Sequence, residues 1–150
     1  LKAFSPGGAS APFLPADRVD TPLDFDPMAE AGSMLGSGAV LVVAEGTDML
    51  ELGLNVTRFF RNESCGKCVP CRIGTEKAVA LLRRAWLGRA QGADLDGLHD
   101  LEETLRLTSI CGLGQAALGP ALSVLEHFPA DVEAHGDGEA GFARDRHTRA

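Results

Sequence analysis

From Asp48 onward, apolar side chains recur every three or four residues, the spacing that turns one face of a helix toward a core. Asp48 is a good N-cap, and Glu51 three residues later supplies a capping-box partner. Leu52, Val56, Phe59 and Phe60 then fall near one face of a helix expected to end near Asn62. A second helix is expected to begin near Arg72 to Thr75, with Ala78, Leu81, Leu82 and Ala85 buried and Gly88 as its stop. A third follows Asp94 or Asp96, carrying Leu98, Leu101 and Leu105. In the fourth, Pro120 sits in the first turn, Leu118, Leu122, Leu125 and Phe128 form the stripe, and Pro129 closes it. Such leucine stripes are core faces, and four of them suggest a small bundle.

Residues 1–46 follow a different pattern. They are rich in Pro and Gly, with strand candidates only at Leu1 to Ser5, before the turn Pro6-Gly7-Gly8, and at Ala39 to Ala44, before Glu45-Gly46. A loop through Pro12, Pro15 and Pro22 separates them. Two strands are too few for a sheet that stands alone. Residues 129–150 show no periodicity and read as a flexible, solvated tail. The expected class is therefore α+β in three parts: a partial β segment over 1–46, a four-helix domain over 47–128, and a tail over 129–150.

Composition narrows the function. Over 150 residues, 45% are apolar but only 5% aromatic, so the core must rest on Leu, Val and Ala. A net charge of −7 argues against a nucleic-acid partner, since phosphate contacts need clustered Lys and Arg. The longest apolar run, Ala39 to Ala44, is far below the ~20 residues of a spanning helix, so direct membrane insertion is not expected. No basic start followed by an apolar stretch marks a signal peptide. The expected place is the cytoplasm, or the cytoplasmic face of a membrane complex as a peripheral part. Leu1 replaces an initiating Met, and Leu1 to Phe4 already reads as strand, which suggests a chain that begins inside a fold.

Four cysteines carry the chemistry. Disulfides would need an oxidising compartment, which nothing here marks, and catalytic thiols would need a nearby His or a resolving partner. Cys65-Gly66-Lys67-Cys68-Val69-Pro70-Cys71 instead places three thiols in one short loop, and Cys111 follows forty residues after Cys71. C-x2-C-x2-C with one distant Cys is the ligand pattern of a cubane iron–sulfur cluster, because one loop can wrap three corners and the fourth sulfur must arrive from elsewhere. Structural zinc sites of four cysteines more often use two separated C-x2-C knuckles. Soft thiolates suit either metal, so ligand type does not decide. Gly66 and Pro70 fit a tightly turning loop, while Gly112 and Gly114 would let backbone approach inorganic sulfide. Lys67 and Arg72, beside the ligands, would raise a cluster's potential; alternatively they are ordinary surface cations.

Other motifs lead nowhere. Gly112-Leu113-Gly114-Gln115-Ala116-Ala117 matches G-x-G-x-x-A, but a dinucleotide fingerprint needs a preceding strand, and Leu98 to Leu107 reads as helix. His99, His127, His135 and His147 are scattered, and solvated or core-edge histidine describes all four.

At Glu63-Ser64-Cys65-Gly66-Lys67-Cys68-Val69-Pro70-Cys71-Arg72-Ile73-Gly74 the chain resembles the cluster loop of the NADH-binding flavoprotein subunit of respiratory complex I and of the diaphorase subunits of NAD-linked formate dehydrogenases and hydrogenases. Ser109-Ile110-Cys111-Gly112-Leu113-Gly114 resembles the fourth-ligand segment of the latter branch. Leu1-Lys2-Ala3 through Pro6-Gly7-Gly8, with Gly32-Ser33-Met34-Leu35-Gly36-Ser37-Gly38, resembles part of the ubiquitin-like β-grasp (SLBB-like) domain before it. The resemblance implies a [4Fe–4S] cluster on Cys65, Cys68, Cys71 and Cys111, taking electrons singly from an FMN that NADH reduces. The implied partners are an FMN/NADH-binding domain or chain, a thioredoxin-like [2Fe–2S] subunit, and a larger iron–sulfur or catalytic subunit. The family's FMN- and NADH-binding domain has no counterpart in these residues, so NADH oxidation by this chain alone is not expected. The alternative is a non-catalytic structural or interaction module with a four-cysteine zinc site or an empty one.

Overall fold

The structure is a computed structural model and describes residues 1–90 and 92–136. Three short strands, β1 (Ala3–Ser5), β2 (Leu14–Pro15) and β3 (Leu41–Val43), form an antiparallel sheet in the order β2-β1-β3. Seven α-helices are found among the described residues: α1 (Phe25–Glu30), α2 (Met49–Glu63), α3 (Val69–Trp86), α4 (Gly92–Thr108), α5 (Gly112–Ala116), α6 (Gly119–His127) and α7 (Pro129–Glu133). The chain is thus a helix-rich mixed fold with a small sheet, and the four expected helices correspond to α2, α3, α4 and α6.

The sheet depends on the helices. In β1, Ala3 pairs with Pro15 and Val43, and Phe4 with Leu14 and Val42. Neighbouring side chains of a strand face opposite ways, and here both faces are covered. Ala3 packs with Phe13, Val43, Met49, Val124 and Phe128, in a core shared with α2 and α6. Phe4, Leu14 and Met28 pack together beneath α1. The Phe13 amide donates to Ser123 Oγ of α6 at 2.8 Å, a further tie. β2 falls in the stretch expected as loop, because Pro15 hides it: proline is tolerated only on an edge strand, which β2 is.

The Asp48 cap forms as expected, its Oδ1 accepting the Glu51 amide at 3.1 Å. The buried face of α2 differs from the expected stripe. It consists of Met49, Leu50, Gly53, Leu54, Thr57 and Phe60, whereas Phe59 is exposed and Leu52 and Val56 are half-buried. Small residues cause the rotation. A Cβ on Gly53 would meet Val124 Cγ2 at 3.4 Å and the Ala121 Cα at 3.7 Å, so α2 and α6 touch along a seam that counting large apolar side chains passes over. In α6 likewise, Pro120, Ala121, Ser123 and Val124 are buried, and Leu122 and Leu125 only half-buried. At Gly74 of α3 an added Cβ would overlap Leu105 of α4, which brings those helices unusually close. Gly88, with φ +68°, ends α3 as expected: Gly88 and Arg89 amides return to the Ala85 and Arg84 carbonyls at 2.9 and 2.8 Å.

The expectation of a tail from residue 129 is corrected for its first part. Pro129 does not merely close α6; it opens α7, a position where its missing N–H costs nothing. Asp131 Oδ2 then accepts from Lys2 Nζ at 2.6 Å and from the Met49 amide at 2.8 Å, joining α7 to β1's approach and to the start of α2. His135, expected to be solvated or at a core edge, is 4% exposed. Its Nδ1 lies 2.9 Å from the Trp86 carbonyl and its Nε2 2.9 Å from Asp48 Oδ2, so it pins the segment to the ends of both α3 and α2. His99 is exposed and His127 half-buried. Residues 137–150, with His147, lie outside the described residues. Replacing His135 by Ala removes a buried side chain that hydrogen-bonds both the Trp86 carbonyl and the Asp48 carboxylate, at a cost of about 1–3 kcal/mol. A urea unfolding midpoint lowered accordingly, with unchanged slope, is the expected result.

Candidate metal centre

Two segments bring the cysteines together. α2 ends at Glu63, and Ser64 leaves it in extended backbone conformation. The chain then turns through Gly66, whose φ of +73° lies in the left-handed region that favours glycine. α3 starts at Val69, with Cys68 as its N-cap and Pro70 in its first turn. The expected start near Arg72 was too late. C-x-P reads as loop, yet proline in a first turn forfeits only an N–H with no helical partner. The consequence is chemical: Cys68 and Cys71 stand three residues apart at the N-terminal turn of an 18-residue helix, on one side of it. The second segment is the corner between α4 and α5, where Cys111 is the N-cap of α5.

The four cysteines line one cavity of about 330 Å3, together with Glu63, Ser64, Lys67, Ile110 and Leu113. Cys65 and Cys111 are exposed, Cys68 is half-buried and Cys71 is buried, and all four are free thiols. The Ile110 amide, then that of Cys71, hydrogen-bond the Cys68 sulfur and hold its thiol below the usual range, with the Arg72 charge assisting. The thiolate is the form that binds metal.

Of the other residues singled out in the sequence, Lys67 lines the cavity, whereas Arg72 turns back to hold the loop, Nη1 donating to the Gly66 carbonyl at 2.6 Å. A Cβ on Gly112 would meet nothing within 4 Å, so protein packing does not demand glycine there. Gly114 is the constrained position: a Cβ would fall 2.5 Å from Ser109 Oγ, 2.6 Å from Ser109 Cβ and 3.0 Å from Cys71 Cβ. The G-x-G-x-x-A match begins a five-residue helix after α4, without the strand a dinucleotide site requires.

Three polar side chains that cysteine spacing does not announce also shape the site. Ser64 Oγ lies 3.2 Å from Cys71 Sγ. Gln115 Nε2 donates to the Ser109 carbonyl at 3.0 Å, steadying the chain just before Cys111. Ser109 Oγ is buried with no hydrogen-bond partner among the described residues. Only their places beside the cysteines in sequence, Ser64 before Cys65 and Ser109 two before Cys111, could have flagged the two serines.

These features fit a cluster. The donors are four soft sulfur atoms, and all four line one cavity.

Comparison with known proteins agrees. Residues 51–135 match the NADH-ubiquinone oxidoreductase-F iron-sulfur binding region, a [4Fe–4S] family. The chain belongs to this family. It is 41% identical over 135 residues to the F 2 subunit of the NADH-quinone oxidoreductase of Rhizobium meliloti, covering 90% of this chain and 32% of that protein. The corresponding F subunit of Streptomyces coelicolor is also 41% identical, with 90% and 30% covered. The fold is similar to that of a chain of an NAD+-reducing [NiFe]-hydrogenase in the H2-reduced state, at TM-score 0.80 and 32% identity over 89% of this chain and 23% of that one. The chain thus spans about a third of the length of these curated relatives.

Because Gly114 leaves no room for a methyl group between Ser109 and Cys71, Gly114→Ala should displace one or both cysteine-bearing segments. Iron bound per chain after anaerobic purification should fall at least severalfold, while Gly112→Ala, which meets open space, should retain it.

Proposed function

We propose that this chain holds one [4Fe–4S] cluster on Cys65, Cys68, Cys71 and Cys111 and passes electrons one at a time. The observation that carries the proposal is that these cysteines, from two segments forty residues apart, line a single cavity in a chain of an iron–sulfur family. The three-plus-one cysteine spacing supports a cubane cluster over zinc, since four-cysteine zinc sites more often use two separated C-x2-C knuckles.

When bound, the cluster would supply reversible one-electron storage. The chain's own residues prepare that chemistry. The N-terminus of α3 directs its positive end at Cys68 and Cys71, and Lys67 adds a charge at the cavity; both favour an anionic group. Half-buried Leu113 and exposed Ile110 give the cavity an apolar wall, which limits water on that side. Exposed Cys65 and Cys111 leave an open side through which a partner's redox group can approach.

In the full protein the electron would come from an FMN reduced by NADH, on a domain or chain outside these residues, and leave for iron–sulfur groups of partner subunits. A thioredoxin-like [2Fe–2S] subunit and a larger iron–sulfur or catalytic subunit are the partners proposed. The NADH-quinone oxidoreductase relatives and the hydrogenase neighbour support membership of such an NADH-linked assembly. We read the β2-β1-β3 sheet with α1 as part of a ubiquitin-like β-grasp (SLBB-like) unit over 1–46, beside a cluster domain over 47–128. No helix among the described residues is long and apolar enough to cross a membrane, which suits a peripheral place on the cytoplasmic face of a complex.

Iron and acid-labile sulfide on anaerobically purified protein should each reach about four per chain, with an EPR signal that appears only after dithionite. Cys68→Ala should lose most of both. Zinc in place of iron, or a full cluster retained by Cys68→Ala, would overturn the assignment.

A further inference from the structure

Resting on the cluster reading above, we infer that the Ser64 hydroxyl donates a hydrogen bond to Cys71 Sγ and thereby raises the reduction potential of the centre. Among the described residues, Ser64 is the one side chain hydrogen-bonded to a cysteine sulfur, at 3.2 Å. In the free thiol either atom can donate; once Cys71 is a ligand it carries no proton, and the hydroxyl must be the donor. Ser64 Oγ also accepts the Gly66 amide, at 3.3 Å. That bond occupies the oxygen as an acceptor, polarises the O–H, and strengthens its donation. Cys71 is the buried member of the set, so water competes least for its sulfur, and a fixed dipole there acts through a low effective dielectric.

The direction follows from charge. Reduction adds one electron to the centre and makes the ligand sulfurs better acceptors. A hydrogen bond to Cys71 Sγ is therefore stronger in the reduced state, and it shifts the equilibrium toward reduction. Ser64 is a positioning and tuning residue: it touches a ligand and holds the turn at Gly66, and it has no ligating role itself. The backbone amides at Cys68 cannot be removed by substitution. The contribution of Ser64 can, which makes the effect separable.

The test is an EPR-monitored redox titration of the full chain, purified anaerobically, as wild type, Ser64→Ala, Ser64→Thr and Ser64→Val. Iron and sulfide counts come first: they report on the cluster reading itself and keep its failure distinct from failure of this inference. Among samples with a full complement of iron, Ser64→Ala should be harder to reduce by about tenfold in the equilibrium constant, about 59 mV for one electron. Ser64→Thr, which keeps the hydroxyl, should stay near the wild type. Ser64→Val, matched to Thr in shape, should follow Ala, and this pair decides the matter if the Ala variant fails to fold. A Ser64→Ala potential equal to the wild type, or Thr and Val variants shifted alike, would overturn the inference and leave Ser64 as a turn-forming residue only.

Discussion

The close approach of the first turn of α3 to the α4–α5 corner is the constraint on which the rest of this molecule depends. Two glycines set it. Gly74 lets Leu105 lie against the α3 backbone, and Gly114 lets Ser109 and Cys71 meet where a methyl group would not fit. With these contacts in place, Cys71 and Cys68 arrive from one element and Cys111 from another, at a cavity that neither segment could form alone. The remaining helices serve that geometry. α2 and α6 bury Leu50, Leu54 and Ala121, and the turn before α6 buries Ala117 and Leu118, in the same core as Leu82, Leu98 and Leu105, which holds α3 and α4 where they meet the site.

The amino-terminal sheet and α7 are attached to this frame rather than independent of it. Lys2, Asp131, Met49 and Thr47 meet in one polar knot, and His135 bridges the starting cap of α2 and the last turn of α3. The polar end of the bundle thus lies at the start of α2 and the end of α3, while the cysteines lie at the end of α2 and the start of α3. The two helices connect a structural closure at one end with the chemistry at the other. The outer edge of the sheet is different in character: Leu41 and Val42 of β3 are exposed, as expected of an edge strand left unpaired.

Much of this was legible in the residues alone, where local chemistry has one reading. Asp48 with Glu51 marked the start of α2, Gly88 the end of α3, and the three-plus-one cysteines a set of thiols that the fold brings to one cavity. What was not legible depended on partners far away in sequence. The seam between α2 and α6 runs over Gly53 and Ala121, which carry no hydrophobic signal, so the apolar stripes pointed slightly to one side. β2 needed β1 to reveal it, since Leu14–Pro15 has no strand character of its own. α5 and α7 are single-turn elements with glycine or proline at their starts, and α7 holds because Asp131 and His135 find Lys2, Asp48 and the Trp86 carbonyl. The Ser64 hydroxyl beside Cys71 was invisible for the same reason: a Ser next to a Cys means nothing until the fold brings it to a sulfur.

Iron X-ray absorption on the anaerobically purified chain tests most directly whether these two segments hold one cluster. Cysteine ligation by Cys65, Cys68, Cys71 and Cys111 predicts a first shell made of sulfur alone and a second shell of neighbouring iron atoms. Nitrogen or oxygen neighbours without an iron–iron shell, or zinc as the bound metal, would contradict it.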